Sequence, residues 1–112
     1  MKRLPIALSE GAIADIDFIA AYVAESSSSL SSAQSYVDRI YARCRKIGDV
    51  PRGGRPRDDL MFGLRIVPFE RSAIICYLVE EKRVLITNVF HAGRDFEALL
   101  RTEQASSDEE GG

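Results

Sequence analysis

The chain contains no tryptophan, a single histidine and only two cysteines among its 112 residues. Cys44 and Cys76 lie in separate apolar segments, without the CxxC spacing or the clustered histidines of a structural zinc site. Two isolated cysteines also provide no disulfide framework of the kind that stabilises small secreted domains. These absences exclude a disulfide-rich or zinc-stabilised scaffold, and we expect no metal and no cofactor.

Long hydrophobic runs are absent as well. No apolar stretch approaches the ~20 residues that a transmembrane helix requires. The N-terminal segment MKRLPIALSEG has neither the long hydrophobic region nor the small-residue cleavage site of a signal peptide. We therefore expect a cytoplasmic protein without membrane contact.

Acidic residues are unevenly distributed along the chain. The formal net charge is -2, but residues 103–112, EQASSDEEGG, hold four acidic and no basic residues. Positions 1–102 therefore carry 15 basic and 13 acidic residues, a net charge of +2 that is too small to predict nucleic-acid binding by itself. The composition predicts one domain over residues 1–102 and an acidic, disordered tail over residues 103–112.

Helical periodicity occupies the first half of the chain, after a short strand predicted at residues 4–8. Ser9 is a candidate N-cap for a first helix that should end near Ala24. The segment ESSSSLSS then interrupts the pattern, Ser32 or a neighbour caps a second helix, and Gly48 is placed to end it. The two helices are predicted to form an antiparallel hairpin.

β-branched and aromatic residues dominate the second half of the chain. After the glycine- and proline-rich loop DVPRGGRPRDD come LRIVPF, SAIICYLVEE and RVLITNVF, which predict a three-stranded meander. The segment DFEALL predicts a last short helix, so the order of elements indicates an α+β fold. The last two strands are apolar on both faces, and few elements remain to cover the face turned away from the helices. An uncovered face would be a partner site.

Three arginines of the loop, Arg52, Arg55 and Arg57, are candidates for contacts with a phosphate or a partner protein. The alternative is a solvated turn in which they pair with Asp58 and Asp59. The segment has no P-loop spacing and does not precede a helix, so it does not predict a nucleotide site.

Two further positions lie beside the predicted strands. Arg71, in the turn FERSA, either points across the sheet at a ligand or is a charge at a hairpin tip. His91 follows the last strand and is either a general acid or base or a packed structural residue. No serine or cysteine is evident as its nucleophilic partner.

The pair Arg94–Asp95 marks the corner between the last strand and the last helix. Asp95 is a good N-cap for that helix. Arg94 is expected to hold the corner by pairing with an acidic residue of the first helix, such as Asp15 or Asp17. The residues alone therefore favour a structural corner over an active site.

Three segments together resemble the ParE branch of the RelE/ParE toxin superfamily: LSEGAIADIDFIAAYVAE, GRPRDDLMFGLRIVPF and AIICYLVEEKRVLITNVFHAGRD. The resemblance covers about residues 4–100. It implies a small antiparallel β-sheet packed against an αα hairpin, and a bacterial type II toxin. It also implies a partner, a ParD-like antitoxin whose flexible C-terminal segment wraps around the toxin.

With the resemblance come two sets of candidate residues. The candidate antitoxin-binding residues are apolar or aromatic positions of the two helices: Ile16, Ile19, Tyr22, Tyr36 and Ile40. The candidate target-binding residues are the cationic and titratable ones: Arg55, Arg57, Arg71 and His91.

Members of the superfamily differ in their targets: ParE-like members poison DNA gyrase, and RelE-like members cut mRNA on the ribosome. Cleavage of RNA needs an acid or base and several cations around the phosphate. Arg71 matches an arginine that both branches share, but DFEALLRTEQ lacks tyrosine and histidine, and arginines and aspartates replace the expected lysines. We therefore expect a gyrase inhibitor that is not an enzyme and does not bind nucleic acid directly. The alternatives are a ribosome-dependent endoribonuclease and a binding protein that has lost its toxicity.

Overall fold

A computed structural model describes residues 3–91 and 95–102 as an α+β domain. The elements follow the predicted order, with one short strand added, and the fold class is confirmed. They are β1 (Ile6–Leu8), α1 (Glu10–Ser27), α2 (Leu30–Asp49), a 3₁₀ turn (Pro51–Gly53), β2 (Arg55–Pro56), β3 (Leu64–Phe69), β4 (Ala73–Val79), β5 (Val84–His91) and α3 (96–102).

The two long helices are joined by only two residues. At the start of α1, the Ser9 hydroxyl accepts a hydrogen bond from the Ala12 amide, as the sequence predicts. α1 continues past Ala24 and ends where Ser28 adopts the left-handed conformation, with φ of 54°. Ser29 then caps α2 by accepting a hydrogen bond from the Ser32 amide. The serine-rich segment is therefore mostly helical, because one left-handed residue and one cap suffice to reverse the chain.

The sheet is mixed, with the strand order β1-β5-β4-β3-β2. The three predicted meander strands pair antiparallel, whereas β1 pairs parallel with β5, so the sheet is not antiparallel throughout. The long connection through the rest of the domain allows this parallel pairing. β2 arises within the predicted arginine loop, where Arg55 and Pro56 pair with Ile66 and Arg65.

Hydrophobic side chains cover both faces of the sheet. On one face, α1 and α2 build the main core with the inward residues of the strands. The helices contribute Ile16, Ile19, Ile40 and Cys44, and the strands contribute Ile75, Tyr77 and Ile86, among others. On the other face, α3 and the loop before β3 form a second cluster, which includes Leu60, Leu64, Ile66, Cys76, Phe90 and Leu100. The chain thus covers the sheet face that we expected it to leave open.

Gly48 does not end α2 as predicted but lies inside its last turn, where the helix touches the segment before β1. The Gly48 carbonyl accepts a hydrogen bond of 2.9 Å from the Leu4 amide. A Cβ atom at position 48 would lie 2.3 Å from the Leu4 carbonyl oxygen, which is backbone and cannot move aside. Glycine is required here by the close approach of two backbones.

Gly48→Ala is therefore expected to lower the free energy of unfolding by about 1–3 kcal/mol, the usual cost of overpacking a tight contact. Urea denaturation of the purified variant measures this loss. Gly11→Ala is the matched control, because a Cβ there would make ordinary contacts of 3.6 and 3.7 Å near the start of α1. The control should be neutral or stabilising by up to ~1 kcal/mol. Equal stability of the Gly48 variant and wild type would refute this role of the glycine.

Candidate functional site

α1 carries apolar residues around most of its circumference, unlike the amphipathic α2. Its inner face, Ala12, Ile16 and Ile19, is buried against the sheet and α2. On its flanks, Ile13, Phe18 and Tyr22 are 46%, 58% and 50% exposed, and the small residues Ala14 and Ala21 are exposed beside them. Helices that are apolar on all sides are normally buried. We call the surface formed by Ile13, Ala14, Phe18, Ala21 and Tyr22 the α1 face.

Most of the helix residues that the sequence offered for antitoxin binding are not on the surface. Ile16, Ile19 and Ile40 are at most 2% exposed and Tyr36 is 8% exposed, since all four belong to the core between the helices and the sheet. Of the five candidates, only Tyr22 lies on the α1 face. Helical spacing identified the inner face correctly, but inner residues hold the domain together and cannot meet a partner.

Phe18 and Ile13 were missed by the sequence reasoning, and they are the informative residues of the α1 face. A signal was available in the sequence, because EGAIADIDFIAAYVAE contains more apolar positions than one buried helix stripe can use. The surplus positions lie outside the i, i+3, i+4 pattern that marks the core.

An aromatic cluster lies next to the α1 face at the end of β5. The His91 ring is half-buried, with its centroid 5.0 Å from that of Tyr22 and 6.4 Å from that of Tyr36. Tyr36 also packs edge-on against Phe69 and shares a hydrogen bond between its hydroxyl and that of Ser72. His91 is thus packed between rings from both helices.

The turn between β3 and β4 presents Arg71 in an unusual backbone conformation. The Ser72 amide donates to the Phe69 carbonyl at 2.9 Å, and the two residues between them, Glu70 and Arg71, have φ of 47° and 57°. Such consecutive left-handed residues normally call for glycine or asparagine. The Glu70 carboxylate is held by Arg39 through hydrogen bonds of 2.7 and 3.2 Å, which also raise the pKa of Arg39. Arg71 is exposed, without an ionic partner among the described residues.

The arginines of the loop differ in their contacts with the rest of the domain. Arg57 is 15% exposed and forms ion pairs with Asp59 at 2.8 Å and with Glu97 of α3 at 3.1 Å. Its guanidinium also lies 6.0 Å from the centre of the Phe96 ring. Arg57 therefore ties the loop to α3, whereas Arg55 is exposed on β2 with no ionic partner within residues 3–91 and 95–102.

Arg57→Gln is expected to loosen α3, because Glu97 loses its ionic link to the loop. Amide hydrogen exchange of residues 96–102 should become faster, and Arg55→Gln should leave it unchanged. The hydrogen bond from Arg57 lowers the pKa of Asp59. The contribution of the Arg57–Asp59 pair to the free energy of unfolding is therefore present above the ordinary aspartate pKa. It is lost as the pH falls through the lowered pKa of Asp59. The free energies of unfolding of wild type and Arg57→Gln should therefore move closer together at acidic pH. Unchanged exchange of residues 96–102 in Arg57→Gln at neutral pH would refute the link between the loop and α3.

At the corner after β5, the structure describes the residues up to His91 and those from Asp95 onward. Asp95 caps α3 as predicted, since its carboxylate accepts a hydrogen bond of 3.1 Å from the Ala98 amide. Arg94 lies outside the described residues. Asp15, one of its predicted partners, accepts a hydrogen bond of 2.9 Å from the Val89 amide, which joins α1 to β5.

The described residues offer few groups for chemistry. They contain no cluster of three or more residues that could hold a metal ion. Burial raises the pKa of the Cys44 thiol to about 11, so it is protonated and unreactive at neutral pH. His91 pairs in register with Ala73, which places His91 and Arg71 at the same end of the sheet. Within residues 3–91 and 95–102, no helix has the length and apolar composition of a membrane span.

One comparison with known proteins identifies a family, and another identifies a fold. Residues 6–96 match the family described as the ParE toxin of the type II toxin–antitoxin system parDE. Among solved structures, the chain is similar to one from the chromosomal ParDE toxin–antitoxin system of P. aeruginosa, with a TM-score of 0.69 and 20% sequence identity. That match covers 80% of this chain and 96% of the other, and at this identity it shows the fold alone. No curated protein matches the sequence.

Proposed function

Because this chain belongs to the ParE toxin family of type II toxin–antitoxin systems, we propose that it inhibits DNA gyrase and is neutralised by a ParD-like antitoxin. It acts in the cytoplasm by binding and has no catalytic activity of its own. The family membership supports the toxin role, and the surface chemistry supports each of the two contacts separately.

The α1 face is the observation that carries antitoxin binding. Phe18 and Tyr22 are large, half-exposed rings separated by one helical turn, with the small side chains of Ala14 and Ala21 beside them. Exposed aromatic rings beside small residues suit an amphipathic helix that docks its apolar side. The antitoxin segment should bury on the order of 1,000 Å² per side across the α1 face and its surroundings. A complex that covered only polar loops would refute this assignment.

The contact with gyrase is assigned to the exposed cations Arg71 and Arg55. Both lack ionic partners among the described residues, so neither must break a bond within the domain before it pairs with a partner. Arg57, the third candidate arginine, is already committed to Asp59 and Glu97. A protein–protein contact needs no acid or base, which agrees with a histidine packed between two tyrosine rings.

Ribosome-dependent RNA cleavage is the second candidate function. It is favoured by one observation, the position of His91 and Arg71 at one end of the sheet. Against it, His91 packs against two tyrosine rings, and among the described residues the nearby Arg39 is engaged with Glu70. A phosphate that builds up charge would need more than one free cation nearby.

An expression experiment separates the two functions. The chain is induced alone and together with its cognate antitoxin, and plasmid supercoiling, SOS induction and mRNA integrity are followed. We expect loss of supercoiling and an SOS response that the antitoxin prevents, with intact mRNA. Fragmented mRNA with normal supercoiling would favour the ribonuclease.

A further inference from the structure

Two side chains of the sheet hold the backbone of the segment that connects α2 to β2, residues 51–54. Tyr77 of β4 and Arg65 of β3 are register partners, so they lie side by side on the sheet face that packs against the helices. Tyr77 is fully buried, whereas Arg65 is partly buried. Both side chains form hydrogen bonds with this segment.

The hydrogen bonds reach the segment from its first residue to its last. The Tyr77 hydroxyl accepts a hydrogen bond of 2.9 Å from the Gly54 amide and donates one of 2.8 Å to the Pro51 carbonyl. One guanidinium nitrogen of Arg65 donates to the carbonyls of Arg52 and Gly54, at 3.0 and 2.8 Å. A Cβ atom at position 54 would overlap the Tyr77 hydroxyl oxygen, so glycine is required for this contact.

The backbone of Arg55, the residue directly after this segment, is thereby held on both sides. On its other side, β2 pairs with β3 through Arg55 and Ile66. Pro56 also restricts the backbone of the preceding residue to extended conformations. The Arg55 side chain is exposed and has no ionic partner among the described residues, so it can pair with a carboxylate of a partner protein.

We propose that Tyr77 and Arg65 are positioning residues, which act through Arg55 on the contact between the toxin and its target. This inference rests on the proposed function, in which Arg55 contacts that target. A flexible segment would lose conformational freedom when Arg55 binds, and this loss weakens binding. The hydrogen bonds from Tyr77 and Arg65 order the segment before the target arrives, so Arg55 meets its partner from a fixed backbone.

Amide hydrogen exchange tests whether the two side chains order the segment. Tyr77→Phe removes the acceptor of the Gly54 amide, so exchange at Gly54 should become about tenfold faster or more. Arg65→Gln should also accelerate it, without the loss of a fully buried group. Tyr41→Phe is the matched control, because Tyr41 packs beside the main core and its hydroxyl forms no hydrogen bond among the described residues. Exchange at Gly54 that stays at the wild-type rate in both variants would overturn the proposal.

A double-mutant cycle with Arg55→Gln tests whether this order acts through Arg55. Tyr77→Phe and Arg65→Gln should each raise the toxin concentration for half-inhibition of DNA gyrase about threefold to thirtyfold, whereas Tyr41→Phe should not. In the Arg55→Gln background, neither should have a further effect, because the positioned guanidinium is absent. An equal loss in both backgrounds would indicate a general structural role and would overturn the proposal. So would full inhibition by both single variants.

Growth arrest of cells that express each variant separates this proposal from the choice of target. If wild type arrests growth without inhibiting gyrase, the assignment of gyrase fails, and the same cycle is scored by growth arrest. Positioning predicts that Tyr77→Phe and Arg65→Gln arrest growth less than wild type, and that this difference vanishes in the Arg55→Gln background. Growth arrest that is unchanged in Arg55→Gln itself would overturn the positioning role.

Discussion

Phe18→Ser is expected to weaken antitoxin binding by about 30- to 1,000-fold, equivalent to roughly 2–4 kcal/mol, the usual range for an aromatic residue at the centre of an interface. The ring of Phe18 is 58% exposed in the isolated chain, so a docked antitoxin helix would bury area that the domain leaves exposed. Phenylalanine and serine have similar helix propensities, so α1 itself should persist. Calorimetric titration with the purified antitoxin measures the loss of affinity.

Phe62→Ser is the matched control, because Phe62 is 91% exposed in the loop before β3, away from the α1 face. Both variants should stay within ~1 kcal/mol of wild type in urea denaturation. An antitoxin affinity that drops for Phe62→Ser but not for Phe18→Ser would move the antitoxin site to the loop. Cells that express Phe18→Ser should remain poisoned even when the antitoxin is co-expressed.

Arg71→Gly is expected to reduce gyrase inhibition by about tenfold or more, while leaving the domain as stable as wild type or up to ~1 kcal/mol more stable. The two effects have different causes. The left-handed conformation of Arg71 strains a side chain with a Cβ atom, and glycine removes that strain. The exposed guanidinium is lost at the same time. Opposite changes in stability and activity are typical of a residue kept for function at a structural cost.

Glu70→Gly tests whether the backbone or the side chain matters. It removes strain from the same turn, where φ of Glu70 is 47°, and it also breaks the pair with Arg39. It should keep gyrase inhibition within a fewfold of wild type, because the Arg71 guanidinium remains. Titration of each variant into a DNA supercoiling assay gives the comparison. Full inhibition by Arg71→Gly would exclude the arginine from the contact with gyrase.

Much of the fold could be predicted from local patterns. The Ser9 cap, the strand LRIVPF at Leu64–Phe69 and the Asp95 cap each depend on residues within one or two turns or one strand, where local chemistry decides the outcome. The predictions were wrong where contacts between distant parts of the chain determine the structure. Glycine is typical of a helix end, but Gly48 lies inside α2, where the backbone of Leu4 approaches it closely. The coverage of the second sheet face by α3 depends on the packing of Leu100, which no local pattern reveals.

The candidate site was harder to predict, because the sequence gives residue types and not their partners. Arg55 and Arg57 look equivalent in GRPRDD, yet one is exposed and the other is paired with two carboxylates, one of them 40 positions away. His91 is half-buried and packs against Tyr22 and Tyr36, which come from two different helices. Helix periodicity likewise identifies the residues that build the core, whereas binding uses those that remain exposed.

The most direct test of non-catalytic gyrase inhibition uses purified components and a His91→Ala variant that is verified to be folded. Wild type and variant are titrated into a gyrase supercoiling reaction and, in parallel, into ribosomes that carry mRNA. A single general base contributes about 10²–10⁴-fold to a reaction, so catalysis that depended on His91 would be nearly abolished in the variant. We expect both proteins to inhibit supercoiling equally and to leave the mRNA intact. Codon-specific cuts in the mRNA that vanish with His91→Ala would contradict the account and identify the protein as a ribonuclease.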